Sequence, residues 1–162
     1  MIQVLINWIY IFLTAVSLGY GFSYLVNRKL HYKIKRLNNM VAIGLVMATV
    51  YAQIFSIFYK VGLVANAVMI LICVGIVISL RKQLGAELKL CGKRMKSGKG
   101  IMVIVLALIW SYFTSRGIIH YDTDLYHAQS IRWIEEYGVV PGLGNLHVRF
   151  AYNSSVFALS AL

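Results

Sequence analysis

The chain has 162 residues, 60% of them apolar and 13% charged, with a formal net charge of +11. Soluble domains run nearer half apolar and about a quarter charged, so a water-soluble enzyme of this size is excluded, as is a disordered chain, which is poor in large apolar side chains. Nucleic-acid binding is disfavoured by where the cations sit: five in 28–36 and seven in 81–99, between apolar runs and with no aromatic-and-basic motif.

Four uncharged runs follow one another: Met1–Asn27, Leu37–Tyr59, Val61–Leu80 and the shorter Gly100–Ser115. A helix rises about 1.5 Å per residue and the hydrocarbon core is about 30 Å thick, so about 20 apolar residues span it. The first three runs predict complete spans. The fourth gives roughly 24 Å on the same rise, and more if Arg116 snorkels and the helix continues to Ile119. A fifth run begins at Phe150. The first run has no basic leader and far exceeds the apolar segment of a signal peptide, so it reads as a span.

The predicted fold class is therefore all-α, a polytopic transmembrane helix bundle with four complete spans and the start of a fifth. Residues 1–119 carry the four helices, joined by basic loops at 27–36 and 81–99. Residues 120–149 form an external loop, and 150–162 begin the fifth span. The basic blocks set the orientation, because Lys and Arg gather on the cytoplasmic side. Arg28, Lys29, Lys33, Lys35 and Arg36 stay inside, as do Arg81, Lys82, Lys89, Lys93, Arg94, Lys96 and Lys99. The N-terminus is then outside, with Lys60 in a tight external turn and 116–150 also external. Cys73 and Cys91 both avoid the oxidising side, so no disulfide is expected. Gln53, Asn66 and Ser79 are polar but uncharged and suit helix–helix hydrogen bonding. No Asp, Glu, Lys or Arg interrupts the first three runs, which argues against an ion-coupled transporter core.

Composition changes sharply after Ile119. Four of the five acids, Asp122, Asp124, Glu135 and Glu136, fall here, as do His120, His127 and His147. A short interfacial helix is predicted from Thr123 to Tyr137, N-capped by Asp122 and ended by Gly138, with Pro141 beyond. Leu125, Ala128, Ile131, Ile134 and Tyr137 give it one apolar side, and Tyr126 and Trp133 suit an interface. PGLGN, 141–145, predicts a turn in which Gly142 and Gly144 tolerate positive φ. Asn153-Ser154-Ser155 fits the glycosylation acceptor pattern at the mouth of the fifth run. SGKG, 97–100, is too short for a phosphate loop.

Within HYDTDLYH, 120–127, Asp122 and Asp124 can supply a general base or, with His127, hold a divalent cation. Oxygen donors suit Mg²⁺ or Mn²⁺. The same acids also stabilise a helix N-terminus by capping and by the helix dipole. Arg116, Arg132 and Arg149 are cations where positive charge is scarce. A guanidinium grips phosphate bidentately, and Arg132 can instead pair with Glu135 or Glu136.

The passage HYDTDLYHAQSIRWIEEYGVVPGLGNL, 120–146, resembles the first external loop of the GT-C superfamily of membrane glycosyltransferases. Those proteins place an acidic motif just after a span, then a tyrosine or histidine, an interfacial helix with a small residue and aromatics, and a glycine turn. Asp122 and Asp124, Tyr126, Ala128 and Trp133, and Gly138 stand at those places. Through NSSVFALSAL the chain also resembles a family of large bacterial inner-membrane proteins, which implies a role in cell-surface polysaccharide assembly. The resemblance implies transfer of a sugar from a lipid-linked phosphate donor, with Asp122 and Asp124 catalytic and Tyr126, Arg132 and Arg149 contacting substrate. Two features depart from the GT-C pattern. Four spans precede this loop where one is usual, and few residues follow it, so an N-terminal fragment, inactive alone, is expected. A transporter or flippase part, or a structural subunit, is the alternative.

Overall fold

A computed structural model of the protein describes residues 1–32, 34, 37–117, 121–152 and 154–162, with the backbone alone at 83, 86–88 and 90. Lys33, Lys35, Arg36, Ile118, Ile119, His120 and Asn153 lie outside the described residues. With them go part of the first basic block, the continuation of the fourth run, the first histidine of the acidic motif and the glycosylation asparagine. The described residues form seven α-helices and no strand.

Helix α1 (Ile2–Leu30) carries Arg28 and Lys29 in its last turn, where cations oppose the partial negative charge of the helix end. It stops at His31, whose left-handed backbone (φ 54°) lets its N–H reach the Asn27 carbonyl. Helix α2 (Leu37–Phe58) and helix α3 (Leu63–Ser79) follow. Basic helix α4 (Arg81–Met95) precedes the apolar helix α5 (Gly98–Ser115). Helices α1, α2 and α5 are long and apolar enough to cross a membrane, with mean hydropathies of 1.7, 2.0 and 1.5.

Three sequence expectations change here. Four complete spans were expected, and three helices of membrane length are found. The run 61–80 yields only the 17 residues of α3, because Val61 is drawn into a bond with the Ile134 carbonyl and Leu80 joins α3 to α4. The basic stretch 81–99, expected as a loop, is mostly helix. Leu80 N–H bonds back to Ile76 and Leu84 N–H to Leu80, so the backbone scarcely breaks. Arg, Lys, Leu and Gln are good helix formers, and charge clustering says nothing about backbone conformation. Finally, α5 does not run on from Ser115: Arg116 caps it and Gly117 turns at φ 63°. The Arg116 guanidinium folds back to donate to the Tyr112 hydroxyl at 2.7 Å. At the other end Ser97 accepts from the Gly100 N–H, so SGKG is the N-cap and first turn of α5.

Helices α1 and α2 pack antiparallel along a seam of small side chains. Ala15, Gly19 and Ser23 on α1 are buried, as are Met40, Gly44, Ala48, Ala52 and Ser56 on α2. Each set recurs every four residues, one face of a helix. A Cβ at Gly19 would overlap the Met40 carbonyl, and one at Gly44 the Ala15 carbonyl. Small residues that let two backbones touch are the usual means of joining helices in lipid, where apolar burial gives no drive. Helix α3 is tied on by hydrogen bonds. Tyr10 donates to Asn66 Oδ1 at 2.6 Å and Tyr51 to the Ala65 carbonyl at 2.8 Å, so Asn66 joins helices as its position suggested. Leu18, Ala48 and Met69 form one core cluster across the three helices. By contrast α5 leaves Ile101, Met102, Val103, Trp110 and Phe113 more than half exposed, the pattern of a helix bathed in hydrocarbon.

A Gly44→Val substitution forces α1 and α2 apart. It should lower the unfolding free energy in detergent by roughly 1–3 kcal/mol, the usual cost of overpacking, while Gly75→Val, which meets open space, costs less. Thermal melts of the two variants check this.

Candidate functional site

The acidic segment is wound differently from the α-helix its sequence predicts. Thr123–His127 form a π-turn, in which the Ala128 N–H reaches the Thr123 carbonyl five residues back. Helix α6 (Ala128–Tyr137) continues from it. The extra residue in the turn rotates everything before it off the stripe of α6. Ile131 and Ile134 pack into the core, as expected. Leu125, Ala128 and Tyr137 are exposed instead: Leu125 lies within the π-turn, Ala128 directly follows it, and Tyr137 ends the helix. The turn also changes the role of Asp122. Its backbone is already helical and its side chain makes no capping bond, so the expected N-cap is not there. π-turns inside helices are frequent at functional sites.

The Asp122 carboxylate is instead bridged by Arg149, with Nη1 donating to Oδ1 at 3.1 Å across 27 residues of chain. Both side chains are about one-third exposed. Arg149 belongs to a 3₁₀ turn, Val148–Ala151, whose first residues are fixed by His147: Nδ1 accepts the Arg149 N–H at 3.2 Å. The guanidinium carbon also lies 5.6 Å from the centre of the Tyr126 ring, a cation–π distance. Tyr126, expected at a wet interface, is buried. Its ring meets His127, Tyr152 and Phe157. Arg149 thus has a carboxylate beside it and an aromatic floor beneath.

The other sequence candidates separate from this bridge. Asp124 is exposed and takes no part in it. His127 packs on Phe157, ring centres 5.3 Å apart. Among the described residues no three His, Cys, Asp or Glu side chains gather to hold a metal ion. Asp122, Asp124 and His127 therefore do not form the expected Mg²⁺ or Mn²⁺ ligand set. Arg132 pairs with Glu136, Nε to Oε1 at 2.9 Å, with both side chains exposed. That hydrogen bond holds the Glu136 carboxyl below its ordinary range and raises the Arg132 guanidinium. The Glu136 contribution to stability is thus present above the ordinary glutamate pKa and lost as pH falls through the depressed one.

Beside the bridge lies an apolar groove of about 270 Å³. Its walls include Trp133, Ile134, Val139, Pro141, Phe150 and Phe157, with Ser130 and Ser154 the polar side chains among its lining residues. Two residues join groove and bridge. Phe150 follows Arg149 in the chain and stacks on Trp133 at 5.0 Å. Phe157 lines the groove and also meets the Tyr126 ring. Phe157 lies in the first turn of helix α7 (Ser155–Ala161), which is capped by Ser154 accepting from the Val156 N–H. The fifth apolar run therefore becomes α-helical five residues later than its start at Phe150. Sequence reasoning named His147 only as a histidine of this segment and Phe150 only as the start of the fifth run, and it passed over Tyr152 and Phe157. The close spacing of His147, Arg149, Phe150 and Tyr152 was the available signal.

The groove is fixed to the long helices through backbone. Val61 N–H donates to the Ile134 carbonyl at 2.9 Å and Val139 N–H to the Ser56 carbonyl at 2.8 Å. Between them Gly138 turns at φ 79°, and a Cβ there would stand 2.6 Å from the Ser56 oxygen. The expected glycine stop of α6 is thus also the point of closest approach to α2. In the PGLGN turn Gly142 uses positive φ (84°) and Gly144 does not.

Fold and site together define an α-helical membrane protein that carries a short, partly exposed helical segment against the ends of its long helices. The chain belongs to a family described as a domain of unknown function, DUF8201, whose family model matches residues 1–162. No curated protein and no solved structure matches it.

Proposed function

We propose that the protein is a glycosyltransferase-like membrane protein of the bacterial cytoplasmic membrane, handling a lipid-linked phosphate sugar in cell-surface polysaccharide assembly. One observation carries this reading: a guanidinium with an aromatic floor stands next to an apolar groove on the same segment. Such a pair of surfaces suits an amphiphile with an anionic head and a hydrocarbon tail. Arg149 receives the phosphate of the donor, and the groove takes the first units of the lipid. Asp122 or Asp124 accepts the proton of the acceptor hydroxyl. The acceptor oxygen then bonds to the sugar's anomeric carbon as the bond to the phosphate breaks, and the lipid phosphate leaves. Arg132, held by Glu136, plays a lesser part.

The second reading is structural, with the Asp122–Arg149 bridge merely tying the π-turn to the 3₁₀ turn. Two measurements on the full chain separate them. Arg149→Gln should weaken binding of a polyprenyl monophosphate by roughly ten- to a hundredfold, the weight of a charged hydrogen bond of about 1.5–3 kcal/mol. The exchange Asp122→Arg with Arg149→Asp should restore thermal stability without restoring binding. Binding unchanged in Arg149→Gln, with stability lost and then recovered in the exchange, leaves only the structural reading.

We further propose that α3 serves as a fourth span, at about 26 Å close to hydrocarbon thickness, and that the N-terminus, Lys60 and the site lie outside. Val61 bonded to Ile134 supports a common side for the turn and the site. Single cysteines at 32 and 92 should resist an impermeant thiol reagent in intact cells and one at 124 should react; the reverse pattern contradicts the orientation.

A further inference from the structure

The strongest unassigned feature is α4. Its stretch, 81–99, carries seven cations, Arg81, Lys82, Lys89, Lys93, Arg94, Lys96 and Lys99, against the single acid Glu87. All seven are exposed, and none has an ion pair among the described residues. The helix is also two-sided. At 100° per residue Lys82, Lys89 and Lys93 fall within about 40° of one another, on the side opposite Leu84, Cys91 and Met95. Leu84 is buried and Cys91 half-buried, while Met95 at the C-terminal end is exposed, so the apolar side is turned inward over the first three turns while the lysines face out. Position completes the argument. Helix α4 starts where α3 ends and stops two residues before α5, so it sits at the ends of apolar helices, where a bilayer's headgroups lie.

We propose that α4 is a headgroup-binding helix that selects anionic phospholipid in the leaflet beside it, through Lys82, Lys89 and Lys93. Phosphodiester anions complement this concentration of exposed cations, and each lysine near an anionic surface adds about fivefold to affinity. An apolar side tethered at both ends to apolar helices favours a lipid surface over a nucleic acid, which would need no such side. The inference rests on the membrane placement and not on the chemistry at Arg149.

The test uses the full chain with Cys73→Ser, reconstituted in phosphatidylcholine bilayers and carrying a fluorophore on Cys91. Quenching by brominated phosphatidylglycerol is compared with quenching by brominated phosphatidylcholine. The wild-type charge pattern should give a several-fold preference for phosphatidylglycerol. That preference should vanish in Lys82→Gln/Lys89→Gln/Lys93→Gln. It should also vanish for the unmutated helix at about 1 M NaCl, where the Debye length is about 3 Å, which needs no variant to insert correctly. Equal quenching by the two lipids, or a preference that survives both salt and neutralisation, overturns the proposal. So does a fluorescence change on adding RNA to phosphatidylcholine bilayers with none on adding phosphatidylglycerol, which assigns the cations to nucleic acid. Loss of all quenching by either lipid would instead count against the membrane placement itself, as well as against α4.

Discussion

Two backbone hydrogen bonds hold the site to the rest of the molecule: Val61 N–H to the Ile134 carbonyl and Val139 N–H to the Ser56 carbonyl. Both join the α2–α3 turn to the C-terminal end of α6. Backbone groups at the end of a long apolar helix cannot be left without partners where water is scarce. The ends of α2 and α6 supply donors and acceptors to one another. Gly138 makes this possible, since only a residue without Cβ fits against the Ser56 oxygen. Once α6 is docked, Ile131 and Ile134 fall onto Val61, Ala65 and Ala161. The groove and the turn that carries Arg149 are built outward from that contact.

The long helices are joined by a different principle. Ala15, Gly19, Gly44, Ala48 and Ala52 give α1 and α2 a seam on which backbones touch. Tyr10, Asn66 and Tyr51 then fasten α3 with hydrogen bonds. Large apolar residues are left mostly on the outside, most plainly along α5. This inverts the order of a water-soluble core, where large side chains fill the centre, and it follows from a solvent as apolar as leucine.

How much of this was legible depended on whether the cause was local. The apolar runs announced α1, α2, α3 and α5, because span length follows from hydrocarbon thickness alone. Gly138 and Gly142 declared their turns, and Arg132 a partner three or four residues on. Helix α4 was hidden by its own charge: the lysines marked the stretch so clearly as a connector that the helical spacing of Leu84, Cys91 and Met95 beneath them went unread. The small-residue seam was present every four positions in α1 and α2, but only its partner across the bundle gives it meaning. The π-turn could not be read at all. One extra residue per turn leaves the composition of TDLYH unchanged, yet it moves Asp122 from capping a helix to meeting Arg149. That partner lies 27 residues away, a separation that no local pattern encodes.

The docking of α6 on the α2–α3 turn is the contact on which the placement of groove and ion pair depends, and amide hydrogen exchange reads it directly. In the full chain reconstituted in lipid nanodiscs, the amides of Val61 and Val139 should exchange as slowly as those in the middle of α6, because each is bonded to a carbonyl of another element. Exchange of both at the rate of an open loop, with α6 itself protected, would show that the segment stands free of the long helices and would contradict the account.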